Sequence, residues 1–203
     1  MKYPERKLAV IIPAAGSGKR MGQAVPKPLI RLDGMTILER TLRRFSELPL
    51  HEMIVVISEA IRKETERICS RLETSFPLRL AGGGKERQDS VWNALGALDR
   101  ESDIVAVHDA ARPFFDPGFF RRAFSLLETH DGVVAGFPAA YTMKKVSGML
   151  IQETLPEKHS GRRIRRRSFT GRSSKTPTVT PWKTDFTGRT MPCWSNAWAG
   201  RLQ

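Results

Sequence analysis

Short apolar runs alternate with amphipathic stretches up to about residue 150 of the chain. Positions 8–12, 53–57, 78–81, 104–108 and 132–137 are compact and apolar enough to be buried strands. Between them, 35–47 carries Ile37, Leu38, Leu42 and Phe45 at helical spacing, and 60–71 reads as a charged amphipathic helix. Further helices are predicted over 89–98 and 119–129. The alternation predicts an α/β fold: a mainly parallel sheet with helices on both faces. Residues 142–155 alternate polar and apolar positions around Gly148, which predicts a β-hairpin turning near 147–148. Ligands of such sheets bind beyond the carboxyl ends of the strands. Gly16, Gly83 and Asp109 each fall just after a predicted strand, on that edge.

The first of these loops is the most informative. Residues 13–27 read Pro-Ala-Ala-Gly-Ser-Gly-Lys-Arg-Met-Gly-Gln-Ala-Val-Pro-Lys. Small residues let the backbone turn tightly and come close to a ligand, while Arg20 and Lys27 bring two cations to the same place. Strand, glycine turn and cations make a cradle for a polyphosphate. It is not a dinucleotide fingerprint, because Met21 stands at the third glycine position and Gly22 comes one residue late. It is not a P-loop either: Gly18-Lys19 is followed by Arg20 where Ser or Thr is required. An ordinary glycine-rich strand-to-helix turn is the plain alternative, and Arg20, Pro26 and Lys27 weigh against it.

Charge changes the picture only at one end. The net charge of +13 over 203 residues invites a nucleic-acid reading. Residues 1–156, however, hold 23 Lys/Arg against 19 Asp/Glu, whereas 157–203 hold 11 against 2. No apolar run approaches the roughly 20 residues that span a bilayer. The charged start and short first apolar run are a strand, not a signal peptide. Cys69 and Cys193 lie far apart without metal-type spacing, which fits a reducing, cytoplasmic compartment.

Three further segments join the first loop. Residues 82–91 read Gly-Gly-Gly-Lys-Glu-Arg-Gln-Asp-Ser-Val, 107–114 read Val-His-Asp-Ala-Ala-Arg-Pro-Phe, and 136–144 read Gly-Phe-Pro-Ala-Ala-Tyr-Thr-Met-Lys. Taken in order and at this spacing, the four segments resemble the cytidylyltransferases that act on methylerythritol phosphate in the non-mevalonate isoprenoid pathway. The resemblance covers residues 8 to about 156 and implies a single Rossmann-like nucleotidyltransferase domain. Its expected reaction joins CTP and 2-C-methyl-D-erythritol 4-phosphate into 4-diphosphocytidyl-2-C-methyl-D-erythritol, releasing pyrophosphate.

The resemblance also implies roles. Arg20 and Lys27 stabilise charge at the reacting phosphates. Ala14, Ala15, Gly16, Gly18, Gly84, Lys85, Ser90 and Ala110 bind the nucleotide, with Gly84, Lys85 and Ser90 where the family meets cytosine. Asp109 and Arg112 lie near ribose and acceptor, and Thr142 belongs to an arm (about 141–156) that embraces a second subunit. Mg²⁺ accompanies the phosphates, with no side-chain metal ligand singled out. Read by themselves, Ser90 could be an ordinary residue of a helix start and Asp109 a helix cap. His108 reads as packing, since an ionised phosphate nucleophile needs no general base. Another sugar-phosphate nucleotidyltransferase using UTP or GTP remains an alternative, as does a nucleic-acid binder acting through 161–167. Tyr141 stands where the family usually has Asp.

After Pro156 the apolar pattern collapses into a basic run, 161–167, followed by Ser, Thr, Pro and Trp without period. Residues 157–203 are therefore expected to be irregular. Back-translation supplies a reason. One base inserted after the codon of Pro156 lets the next codons read Pro-Arg-Glu-Ala-Leu-Trp, the family's sequence after its arm. The same frame yields Thr-Asp-Asp near the end, again as in the family. A single-base deletion near codon 157 is the reading, with Glu157 standing at the lost arginine and this copy impaired. Inserting one base there should restore order and turnover. A compact, cooperatively folded tail in the chain as it stands, or normal cytidylyl transfer by it, would overturn the frameshift account of its function.

Overall fold

The computed structural model describes residues 6–16, 25–138, 142–155 and 161–171. Its centre is β1 (Leu8–Pro13), whose first five residues are apolar and almost wholly buried. β1 pairs in parallel with β4 (Glu52–Ile57) on one side and β6 (Ile104–Val107) on the other. β5 (Leu78–Gly82) adds in parallel to β4. Among the described residues the main sheet has six strands in the order β5-β4-β1-β6-β10-β7, with β7 spanning Gly132–Pro138 and β10 Gly161–Gly171. The chain therefore builds outward from β1 to β5, then crosses back to β6. That reversal makes a switch point between β1 and β6, where open α/β sheets take their ligands.

Both faces are covered, and the strands divide their side chains between them by the two-residue period. Leu8, Val10 and Ile12 of β1, Met53, Val55 and Ile57 of β4, and Ile104 and Ala106 of β6 face one layer. That layer holds Leu38, Leu42 and Phe45 of α1 (Ile37–Ser46), Ile68 of α2 (Arg62–Ser70), and Phe120 and Phe124 of α4 (Gly118–Leu126). Ile11, Ile54, Val56 and Val105 face the other, against Ala94 of α3 (Arg87–Ala97). Each fully buried Ile, Leu or Phe contributes about 1.5–3 kcal/mol of transfer free energy. Among the described residues no helix is long and apolar enough to cross a membrane.

The predicted elements are present with shifted ends. The helix expected over 35–47 starts at Ile37 because Met35–Thr36 form β3, paired with β2 (Arg31–Leu32). Asp33 (φ 46°) and Gly34 (φ 75°) close that two-residue hairpin in the left-handed conformation such turns require. Thr36 then caps α1, its Oγ1 accepting the Glu39 N–H at 3.1 Å. The predicted hairpin is β8 (Lys144–Ser147) and β9 (Leu150–Thr154), antiparallel, with Gly148 left-handed at its turn.

One expectation is corrected. No strand is legible after residue 156, yet the backbone of 161–171 forms β10, antiparallel to both β6 and β7. A strand between two others needs main-chain N–H and C=O groups, which every residue of this stretch supplies. The gap between β6 and β7 recruits it without an apolar pattern. The register breaks between Arg163 and Ser168, within the basic run. The rest of the expected irregular segment, 157–160 and 172–203, lies outside the described residues.

A charged hub ties the amino-terminal edge of the sheet. Glu52 opens β4 with its side chain 3% exposed. Its Oε2 pairs with Arg79 of β5, and its Oε1 accepts the Asp99 N–H at 2.6 Å and the Ser102 hydroxyl at 3.0 Å. A buried carboxylate is tolerable only when its lone pairs are used in this way. Glu52→Ala removes the anion and leaves the Asp99 N–H and the buried Ser102 hydroxyl without their acceptor. It should destabilise the fold by about 3 kcal/mol. A urea-unfolding midpoint equal to wild type would show that the hub carries no such weight.

Candidate functional site

Three loops leave the carboxyl edge of the sheet, and each is still hydrogen-bonded to the sheet by its first residue. The Ala14 N–H donates to the Val56 carbonyl at 2.7 Å, Gly83 N–H to Ile57 at 2.8 Å, and His108 N–H to Ile11 at 2.9 Å. The starting points of the loops are thus set by strand ladders rather than by loop side chains.

The loops after β1 and β5 touch. A Cβ on Gly83 would lie 2.4 Å from the Ala15 Cβ, so only glycine allows this approach. A Cβ on Gly84 would lie 2.2 Å from the Asp89 Cβ. Gly16 has open space where a Cβ would stand, and its backbone is exposed. Ser90, buried in the first turn of α3, braces the second loop. Its Oγ accepts the Gly84 N–H at 3.1 Å and donates to the Glu86 carbonyl at 3.1 Å. Asn93 Nδ2 adds a bond to the Gly82 carbonyl at 3.2 Å. The helix start is capped by Asp89, whose Oδ2 accepts the Glu86 N–H at 2.9 Å.

The loop after β6 is held from below. His108 is fully buried, edge-on to Phe45 with ring centroids 5.1 Å apart. Its Nε2 donates to the Arg112 carbonyl at 3.0 Å, so this nitrogen carries the proton. That is the packing role expected of it. Thr41, buried on α1, places its Oγ1 2.8 Å from the Ala110 carbonyl and fixes that residue's peptide. Asp109 caps no helix, because α4 begins only at Gly118. Its carboxylate meets two guanidinium groups instead. Arg112 Nε donates to Oδ2 at 2.8 Å and Arg87 Nη2 to Oδ1 at 2.6 Å.

The structure therefore brings together Ala14, Ala15, Gly16, Gly83, Gly84 and Ser90 around two touching loops, with Asp109, Ala110 and Arg112 on the third. Lys85 is exposed on the second loop. Lys27 is exposed where a short 3-10 turn, Lys27–Leu29, follows Pro26. Proline's fixed φ of −56° sets the direction from which this lysine leaves the backbone. Thr142 is exposed at the base of the hairpin, which closes with the Leu155 N–H on the Met143 carbonyl at 2.8 Å. Gly18, Arg20, Tyr141 and Glu157 lie outside the described residues. β10 pairs Ser168 with Val107 and Gly161 with Pro138, so its basic run 161–167 sits at the same carboxyl edge.

Sequence reasoning missed Arg87, Thr41 and Asn93. Arg87 stood inside a quoted motif, and Thr41 was the polar residue on an apolar helix face; neither signal names its partner. Among the described residues no three His, Cys, Asp or Glu side chains gather to hold a metal. The Asp109 carboxylate is occupied by two arginines, and that of Asp89 by the Glu86 N–H. Burial and the Glu66 carboxylate push the Cys69 thiol up to about 11, which disfavours its thiolate.

The sequence model of the 2-C-methyl-D-erythritol 4-phosphate cytidylyltransferase family (IspD) matches residues 8–165. The chain is 41% identical over 139 residues to the enzyme of that name from Symbiobacterium thermophilum, covering 68% of this chain and 58% of that protein. It spans roughly three-fifths of the length of the curated relatives it matches. A 4-diphosphocytidyl-2C-methyl-D-erythritol synthase structure from Anaerococcus prevotii shares the fold with a TM-score of 0.71 and 24% identity, over 82% of this chain and 71% of that one. The Francisella tularensis 2-C-methyl-D-erythritol 4-phosphate cytidylyltransferase aligns with a TM-score of 0.63 and 26% identity, over 81% and 72%. With the matched region taking in all three loops and the hairpin, the chain belongs to the 2-C-methyl-D-erythritol 4-phosphate cytidylyltransferase family.

Proposed function

We propose that this chain transfers the cytidylyl group of CTP to 2-C-methyl-D-erythritol 4-phosphate, a step of isoprenoid precursor biosynthesis. The observation that carries the proposal is the edge itself: two glycine loops in contact through Gly83 and Ala15, facing a third loop with a fixed Asp109–Arg112 pair. An oxygen of the acceptor phosphate attacks the α-phosphorus in line. The bond from that phosphorus to the β-phosphate oxygen breaks, and pyrophosphate leaves with its electron pair. No proton need move, because the nucleophile is already ionised. The obstacle is repulsion between anions, so catalysis is positioning and charge stabilisation.

Within this reading Arg20 and Lys27 offset the charge of the phosphates, Lys27 as a compact cation. The Gly84–Ser90 loop takes cytosine, with Lys85 beside it. Asp109, Ala110 and Arg112 take ribose and acceptor. Mg²⁺ is part of the proposal: bound through substrate phosphates, as it commonly is, it would offset phosphate charge beside Arg20 and Lys27. A homodimer through the hairpin is part of the proposal. Val146, Leu150 and Ile151 are exposed on a two-stranded sheet, and such a sheet is marginal without further cover. Thr142 at its base would then serve the partner subunit's acceptor. A reducing, cytoplasmic setting fits the cysteine usage, and nucleic acid and membrane are not expected partners.

Isothermal titration should show magnesium-dependent binding of CTP ahead of UTP, GTP or ATP; equal affinity for purine and pyrimidine triphosphates would sink the assignment. Gly83→Ala forces the two loops apart and should weaken CTP binding about tenfold, a cost within the 1–3 kcal/mol usual for overpacking, with the fold retained. Unchanged CTP affinity would mean the contact shapes no pocket. In the frame-restored chain, Arg20→Ala or Lys27→Ala should lower turnover by about 10² or more, as for loss of other transition-state stabilisers. Near-wild-type turnover in either variant removes that residue from the mechanism.

A further inference from the structure

Arg87 is not among the residues whose function the family resemblance supplied. It is the first residue of α3, immediately after the glycine loop of β5. Its partner, Asp109, follows β6. In the sheet these strands are not neighbours: β4 and β1 lie between them. At roughly 4.8 Å per strand, the two loops start about 14 Å apart. The ion pair of 2.6 Å therefore closes across the switch-point crevice. Arg112, by contrast, holds Asp109 from within its own turn, at i+3.

We infer that Arg87 is a positioning residue for the acceptor site, acting through Asp109. The inference rests on the functional reading above. A carboxylate held by one guanidinium can still swing about its own bonds. Held on Oδ1 by one arginine and on Oδ2 by another, its plane is set from two sides. The pair is partly shielded, Arg87 being 36% and Asp109 18% exposed, so it is worth more than a fully exposed ion pair. Removing Arg87 frees the carboxylate. It also cuts the link by which the loop assigned to cytosine reports to the loop assigned to the acceptor.

The test is titration of the full chain, as it stands and with the single base restored, comparing wild type, Arg87→Gln, Arg87→Lys, Asp109→Asn and the Arg87→Gln/Asp109→Asn double variant. CTP with Mg²⁺ is titrated first. Methylerythritol phosphate is then titrated onto the complex with a CTP analogue carrying a methylene bridge between the α- and β-phosphates. CTP affinity should stay within about threefold in Arg87→Gln, while acceptor affinity falls about tenfold, the scale of one charge-assisted hydrogen bond. Arg87→Lys should recover part of that loss, and the double variant should bind acceptor no worse than Asp109→Asn. Acceptor affinity unchanged in Arg87→Gln, equal loss of both ligands, or losses that multiply in the double variant would each overturn the inference. A wild-type chain that binds neither ligand in either form is a separate result: it overturns the functional reading, and the inference with it.

Discussion

Everything at the functional edge depends on β1 being hydrogen-bonded on both sides and buried on both faces. A strand in that position has no freedom to slip, because a one-residue shift would exchange the side chains of its two faces. Val10 and Ile12 on one side and Ile11 on the other hold the register against separate helical layers. The ladders do not stop where the strands do. They continue into Ala14, Gly83 and His108, so the loops inherit the rigidity of the sheet. On the proposed function two anions must be held in line, and that inheritance would supply the positioning.

The electrostatics follow the same plan. Two site groups are fixed by partners outside their own loop, and a third from within it. Thr41 of α1 holds the Ala110 carbonyl, buried His108 holds that of Arg112, and Arg87 holds Asp109 across the crevice. Charge at the opposite edge is managed differently. There Glu52 is buried and saturated with donors, and Asp99 is held below the usual carboxylate range by the Glu101 N–H and by His51. One edge uses its ions to close the domain, and the other holds a carboxylate between two partly exposed guanidinium groups.

The carboxyl-terminal part of the chain shows how far a backbone can go without side-chain instructions. β10 has glycine at both ends and arginine through its middle, yet it completes a sheet between β6 and β7. Ladder hydrogen bonds are indifferent to side chain, and two strand edges facing one gap are a strong template. The break in register at Arg163–Ser168 is where that indifference runs out.

The alternation of apolar runs and amphipathic stretches was enough to read the α/β class, every strand of the parallel core, the four helices and the hairpin. These are local consequences of side-chain period, and each is written in a window of a dozen residues. The loop at 13–27 suggested a phosphate cradle through its glycines and cations after a strand, while the segments at 82–91 and 107–114 gained their roles only through resemblance to the family. What the sequence could not specify was every relation across distance. The Gly83–Ala15 contact joins residues 68 positions apart. Thr41 and Ala110 stand 69 apart, and Glu52 and Ser102 stand 50 apart. Arg87 stood inside a quoted segment with no role of its own until the strand order carried it over to Asp109. β10 had no pattern to read at all. Period encodes which face of an element is buried; only the packing of elements against one another decides which polar groups meet.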